Sequence, residues 1–335
     1  MIKRLFSIIK EFFTFLWHFN FILAFKLVII PILLKYRPEY DRFKYKHFVT
    51  KKYLKKRYRK TINSFRPKQN KNKIDPSFAE NYPVWFLWWQ GEETMSKIVK
   101  VCYKTLLKHA NGHKVILVTK DNYRDYISLP EYIIKKVEKG YFNLTNLSDV
   151  LRMCLLYEHG GLWLDSTVLV TKPLSPLPPI CSHLGYWTPK DDGEIIESCF
   201  GAKNWIIREG RWLAFCFYSS KGNFLVEFVR AMFFEYIRTN NFCIDHFYVD
   251  YFTAIGYDTF PEIRVMVDSV PANNPKVHEL YHRLNLSYEY NETLFNELCL
   301  NTHFHKLNWK EEHSEYTHTG KLSLYGYIIN NYPPE

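Results

Sequence analysis

The chain has 335 residues, 47% hydrophobic and 18% aromatic, with 13 Gly and 16 Pro, which excludes collagen-like, low-complexity and wholly disordered classes. Its formal charge of +11 is unevenly spread: residues 1–73 hold 20 Lys/Arg against 3 Asp/Glu, a net of +17, and the other 262 residues sum to −6. A basic arm thus precedes a mildly acidic globule, long enough for one large α/β domain or two modest ones. Cys102, Cys154, Cys181, Cys199, Cys216, Cys243 and Cys299 are scattered and odd in number, with no C-x-x-C pair. That argues against a disulfide framework or zinc site and for a reducing compartment.

Residues 1–34 contain 24 apolar side chains, interrupted by Ser7, Lys10, Glu11, Thr14 and His18 at spacings of three and four. On a helix these form one polar stripe, with Phe6, Ile9, Phe12, Phe13, Leu16 and Trp17 largely elsewhere. The longest uncharged run, 12–25, has 14 residues, short of the roughly 20 that span a bilayer. The pattern predicts a membrane-associating helix lying in the interface plane, with an anchor over 12–34 and a snorkelling Lys26 as the alternative. Residues 35–76 read as a basic helical linker, carrying the run KKYLKKRYRK at 51–60. Such a segment is attracted to an anionic membrane surface by about 1 kcal/mol per basic residue. Two other readings compete: a nucleic-acid contact, or a solvated linker.

A polar, proline-ended stretch at 70–76 marks a boundary, so the globule is expected over 77–335. The run VWFLWW at 84–89 suits a strand buried on both faces and is turned by Gln90-Gly91. A helix is predicted over 96–108, a second strand over 114–119, a helix from Pro130 to near Gly140, and a third helix over 146–158 capped by Asn146 or Ser148. Leu162-Trp163-Leu164 is again strand-like. Strands alternating with helices predict a parallel α/β sheet, whose ligands bind beyond the carboxyl ends of the strands. That makes the loops at Gln90 and Asp165 site candidates.

The segment NLSDVLRMCLLYEHGGLWLDSTVLVTKPL at 146–174 is the most informative. Asp149 and Arg152, three apart, share a helix face. Gly160-Gly161 ends the helix, and the following strand delivers Asp165 to its end. A carboxylate left there is costly unless something positive meets it, and a divalent metal carrying a diphosphate is one such partner.

The pattern S-D-x-x-R-x-x-x-L-x-x-x-G-G-x-W-x-D-x-T resembles the capsular polysaccharide synthesis proteins, bacterial glycosyltransferases related to glycosyltransferase family 32. WFLWWQGEE from Trp85 is similar to the family's first strand and loop, and THFHKLNWK at 302–310 to its closing motif. The resemblance implies an α/β fold of GT-A type, a Rossmann-like domain that binds a nucleotide-diphospho-sugar such as UDP-hexose or UDP-N-acetylhexosamine. It also implies a divalent cation, Mn²⁺ or Mg²⁺, and retention at the anomeric carbon. By position Asp165 would bind the metal, Asp149 and Arg152 the donor sugar or diphosphate, and Trp88, Trp89 and Gln90 would border the base. The family's usual D-x-D is here Asp165-Ser166-Thr167, which leaves Thr167 to reach a metal through water or to touch the ribose. Lys306 is the candidate for the diphosphate, and His303 or His305 for a further metal ligand. Asp245 and Asp250 are candidates for orienting donor or acceptor. Five apart, they would point to different sides of a regular helix, leaving one facing the site.

Each residue has a plainer reading: Asp149–Arg152 a surface ion pair, Asp165 a turn residue, Trp88 and Trp89 core, Asp245 and Asp250 helix caps, and the closing motif ordinary loop. The expected function is a transferase of capsule or surface-polysaccharide assembly. Its partners would be a nucleotide-sugar donor, a lipid-linked saccharide acceptor and the cytoplasmic face of the bacterial inner membrane, with no nucleic acid. A non-catalytic nucleotide-sugar or saccharide-binding protein of the same fold is the alternative.

Overall fold

The computed structural model describes residues 2–34, 42–66, 81–174, 214–270, 274, 276–285, 288–311 and 313–332. The expected boundary at 70–76, together with Cys181 and Cys199, lies outside them. All five cysteines among the described residues are free thiols.

Apolar alternation builds the central sheet. Strands β1 (Val84–Leu87), β2 (Val115–Val118), β3 (Gly161–Leu164) and β5 (Cys216–Ser219) lie in the order β2-β1-β3-β5. β1 runs parallel to β2 and β3, while β5 closes the edge antiparallel to β3. Successive side chains go to opposite faces. Trp85, Ile116, Trp163 and Phe217 enter one core, and Val84, Phe86, Leu162, Leu164 and Tyr218 the other. The sheet is therefore the middle of three layers. A second pair, β4 (Val168–Val170) with β6 (Phe304–Lys306), is antiparallel and sets Lys306 opposite Val168.

Helix α6 (Lys97–Lys108) covers the second core, with α12 (Glu279–Asn285), α13 (Glu292–Leu300) and α14 (Leu324–Asn331). The first core is covered by α7 (Glu131–Glu138), α8 (Leu144–His159), α9 (Phe224–Thr239), α10 (Tyr248–Thr259) and α11 (Pro261–Asp268). Helix α8 begins two residues before the expected start. Its cap is Asn143 rather than Asn146 or Ser148: Asn143 accepts from the Asn146 amide and Asn146 Oδ1 accepts from the Asn143 amide, a reciprocal box that satisfies two otherwise orphaned donors.

The N-terminal helices share the first core. They are α1 (Ile2–His18), α2 (Phe21–Ala24), a π-turn at Phe25–Ile29, α3 (Ile30–Leu33), α4 (Arg42–Arg57) and α5 (Arg59–Ser64). Phe15, Leu23, Ala24, Leu27, Val28, Leu54 and Ile62 are buried there. Tyr58, at the end of α4, is gripped by Thr239 and Asn240 at the end of α9, at 3.1 and 2.6 Å. Among the described residues no helix is long and apolar enough to cross a membrane.

One glycine fixes where β3 begins. Gly161 sits at φ +101°, and a Cβ there would run into the Pro83 carbonyl that accepts the Leu162 amide at 2.9 Å. Strain and collision act together, so Gly161→Ala is expected to cost about 2–4 kcal/mol. Urea unfolding of the variant checks this; a change under about 1 kcal/mol would show that β3 can shift to accommodate a methyl group.

Candidate functional site

Asp165 follows directly on β3, and three side chains converge on its carboxylate. Arg152 Nη2 and Trp163 Nε1 each donate to Oδ1 at 2.9 Å, and Lys306 Nζ donates to Oδ2 at 2.7 Å. The Asp165 amide is held by the Phe215 carbonyl at 2.8 Å. Behind it, Arg152 Nη1 donates to Asp149 at 2.9 Å, and the guanidinium lies over the Trp163 ring at 5.0 Å. Each placement follows from local chain geometry. Asp149 and Arg152 are one helical turn apart on α8, Trp163 and Asp165 are two apart along β3, and the β4–β6 pairing carries Lys306 in.

Exposure divides the four charges. The side chains of Arg152 and Asp149 are 5% and 8% exposed, whereas those of Lys306 and Asp165 are 23% and 26% exposed. The inner pair is sealed; the outer pair reaches solvent at the carboxyl edge of the sheet. Burial alone would raise the Asp165 pKa, but Lys306 and then Arg152 overturn that and hold it down at about 2. Asp149 goes the other way. Burial pushes it up to about 6 against the pull of Arg152, with Asp165 adding to the rise.

Burial, and next the Asp149 charge, push Asp250 up to about 7, with Arg152 opposing and Asp245 contributing. The helical premise behind the expected split of Asp245 from Asp250 fails here. Helix α10 starts only at Tyr248, so Asp245 sits in the preceding loop and helical spacing does not set its direction relative to Asp250. Asp245 accepts from Tyr251 Oη at 3.2 Å, and Tyr251 Oη in turn meets His47 Nδ1 of α4 at 2.8 Å.

The remaining candidates are distributed around this centre. Trp88 is half-buried, donates to Thr94 Oγ1 at 2.9 Å, and packs edge to face on Trp309 at 5.7 Å; Trp89 leans on Tyr123 at 5.3 Å; Gln90 is exposed. Thr167 is buried, with its carbonyl accepting from the Leu307 amide at 2.8 Å. His305 is not brought to Asp165. Next to Lys306 on β6, it points to the opposite face, where its Nε2 lies 3.4 Å from Thr171 Oγ1 and 3.8 Å from Cys299 Sγ. Burial lowers it to about 4. His303 is half-buried; its amide donates to Asn274, and no contact with Asp165 joins it to the site.

Among the described residues no three His, Cys, Asp or Glu converge on a point where a cation would sit. What the site offers is one carboxylate, already bonded to two cations, with Thr167 two residues on. That donor set fits a divalent cation arriving on a diphosphate, which needs only one or two carboxylates, and falls short of a cation held by protein alone.

Several site residues escaped the sequence reading. Trp163 was legible, since i and i+2 on a strand share a face. Phe215, whose ring lies 5.1 Å from Lys306 Nζ, and His278 packed against that ring at 5.7 Å carried no local signal. Neither did His47 and Tyr251, which lie 204 residues apart.

A profile of the capsular polysaccharide synthesis proteins matches residues 31–328, which includes every residue of this site. The chain belongs to the capsular polysaccharide synthesis protein family. The solved PaToxG glycosyltransferase is similar to it at a TM-score of 0.39 and 14% identity, over 76% of this chain and 94% of that one. No curated protein matches the chain in sequence. The family motif and the site coincide: Asp149, Arg152, Gly161, Trp163 and Asp165 lie within one helix and the strand after it, with Lys306 supplied by the closing motif.

The raised Asp250 has a stability consequence of defined sign. A carboxyl with a raised folded pKa binds its proton more tightly when folded, so this capsule-synthesis protein loses stability from that source as pH climbs from about 4 to about 7. Asp250→Asn has no proton to lose. It is expected to melt with wild type near pH 4 and increasingly above it toward pH 7, the gap levelling off beyond. Thermal melts from pH 4 to pH 8.5 check this; a gap of constant size would assign the effect to packing rather than titration. Asp165 acts oppositely, giving stability above its unfolded pKa that is lost only as pH falls toward about 2.

Proposed function

We propose that this chain is a glycosyltransferase of GT-A type. It moves a hexose or N-acetylhexosamine from UDP to a hydroxyl of a lipid-linked saccharide in capsule assembly, with retention, at the cytoplasmic face of a bacterial inner membrane. Family membership supports the biosynthetic setting. The observation that carries the chemistry is the Lys306–Asp165 pair, the solvent-reaching half of a charge network at the carboxyl edge of the sheet.

Breaking a sugar–phosphate bond puts negative charge on the leaving diphosphate and positive charge on the anomeric carbon. Lys306, held ready by Asp165 and able to turn toward an incoming anion, meets the first. Arg152 and Asp149, sealed behind it, act through Asp165 by fixing its orientation. A divalent cation bound with the donor would add Lewis-acid stabilisation of the diphosphate, and Asp165 with Thr167 would hold it. Asp250, close to half-protonated near neutral pH, can donate or accept a hydrogen bond at a sugar hydroxyl. Trp88 and Trp309 with Gln90 form the aromatic and polar rim against which a base can lie. Absence of the second motif carboxylate favours one rival, a saccharide- or nucleotide-sugar-binding protein of the same fold that does not turn donor over.

UDP release from a panel of UDP-sugars, with Mn²⁺ or with EDTA, tests the reading. One donor is expected to be hydrolysed slowly without acceptor. Asp165→Ala should lower that rate by about 10³-fold and Lys306→Met by about 10²–10³-fold, the range for removing a preorganised charge. Turnover in EDTA that still needs Asp165 would remove the cation and keep the transferase. Donor binding by calorimetry with no turnover, even with lipid-linked saccharides added, would select the binding protein.

A further inference from the structure

Helix α1 is docked by a face that leaves its apolar stripe outside. Phe15 is buried with its ring 6.0 Å from Phe242, Phe19 lies 6.0 Å from the same ring, and His18 stacks on it at 4.6 Å. The opposite side carries Phe6, Ile9, Phe13 and Trp17, at helical spacings of three and four, with exposures of 68%, 43%, 60% and 86%. The stripe continues over the break before α2. Phe12 packs edge to face on both Phe13 and Phe21, and Phe21, 59% exposed, stacks on Phe25 at 6.1 Å. In a helix that needed only to fold onto its own globule, this face would be the buried one.

We infer that this ridge is an in-plane docking surface for an anionic lipid bilayer. The charge around it selects the occupant. Lys3 and Lys10 lie on the same helical face as Phe6 and Phe13, exposed Lys26 follows, and Glu11 is the only acidic residue in 1–34. Lysine stems lie along an apolar face and lift their ammonium groups to the headgroup level. A second copy of the chain would instead bring these lysines against like charges. Lys52, Lys55, Lys56 and Arg57 of α4 are exposed too, and α4 packs directly on the π-turn. A helix of 17 residues with lysines at Lys3 and Lys10 lies in such an interface rather than crossing it.

The inference deepens the lipid-linked acceptor reading and rests on it only for what the acceptor is. His47 of α4 bonds Tyr251, and Tyr251 bonds Asp245, so the docking arm and the acidic side of the site are one connected body. A bilayer gripping the ridge holds that side of the site at a fixed distance from the headgroups.

Vesicle flotation of the full chain tests it, with phosphatidylcholine alone and with phosphatidylcholine:phosphatidylglycerol. Binding is expected with the anionic vesicles and should weaken with salt. Emission from Trp17, isolated as the difference from Trp17→Phe, should shift blue and be quenched by lipids brominated near the headgroup end. The double variant Phe13→Glu/Trp17→Glu should bind at least about tenfold more weakly, with unchanged melting temperature and UDP release, because both side chains already face solvent. Three results would overturn the inference: no binding to anionic vesicles, equal binding by the double variant, or a double variant that loses self-association while keeping vesicle binding, which would make the ridge a contact between copies. Vesicle binding without donor turnover would leave the inference standing and remove the transferase; turnover without vesicle binding would do the reverse.

Discussion

Asp165 sits where a buried strand runs out, and a carboxylate there would be costly without the two cations that grip it. Arg152 reaches it from α8 and Lys306 from β6, so the bond pattern ties a helix of the first core to a strand far along the chain. Other features serve that meeting. Gly161 lets β3 start flush against Pro83, the Asn143–Asn146 box sets the phase of α8, and the β4–β6 pairing fixes which side chain of the closing motif turns inward. A shift of one residue in that pairing would bring His305 to Asp165 in place of Lys306, exchanging an ammonium for a ring that burial keeps neutral.

The second organising feature is the run of carboxylates behind this centre. Burial raises both Asp149 and Asp250, with Asp165 adding to the first, Asp149 and Asp245 to the second, and the Arg152 guanidinium opposing both. Tyr251 and the Phe247 amide bond Asp245, and His47 of α4 bonds Tyr251 in turn. The basic N-terminal helices are part of the architecture of the site as well as an attachment to it.

How far the sequence disclosed this depended on the distance over which each contact acts. The strands, the main helices and the Asp149–Arg152–Asp165 constellation are written in local periodicity. Lys306 was legible as a candidate for the diphosphate from its motif, but its bond to Asp165, where the sequence suggested a divalent metal, was not. Alternation along a strand also carried a warning: His305 and Lys306 are neighbours on β6, so both could not face the same carboxylate. Helical spacing does not relate Asp245 to Asp250, because the segment's first residues are loop and the helix starts at Tyr248. The α8 cap was misplaced because two asparagines three apart each satisfy the cap pattern, and only the reciprocal bond distinguishes them. His47 had no signal at all, since its role appears only when α4 folds against α10.

The cation that completes the pair at Asp165 lies 141 residues further along the chain. During synthesis the two cannot meet until residue 306 has left the ribosome, by which point α8, β3 and the helices of the first core have already emerged. A chain of this design builds its first core early and its charge-balanced centre late. Until then Arg152 is the one cation held against Asp165, so the centre reaches its charge balance only after most of the fold around it exists.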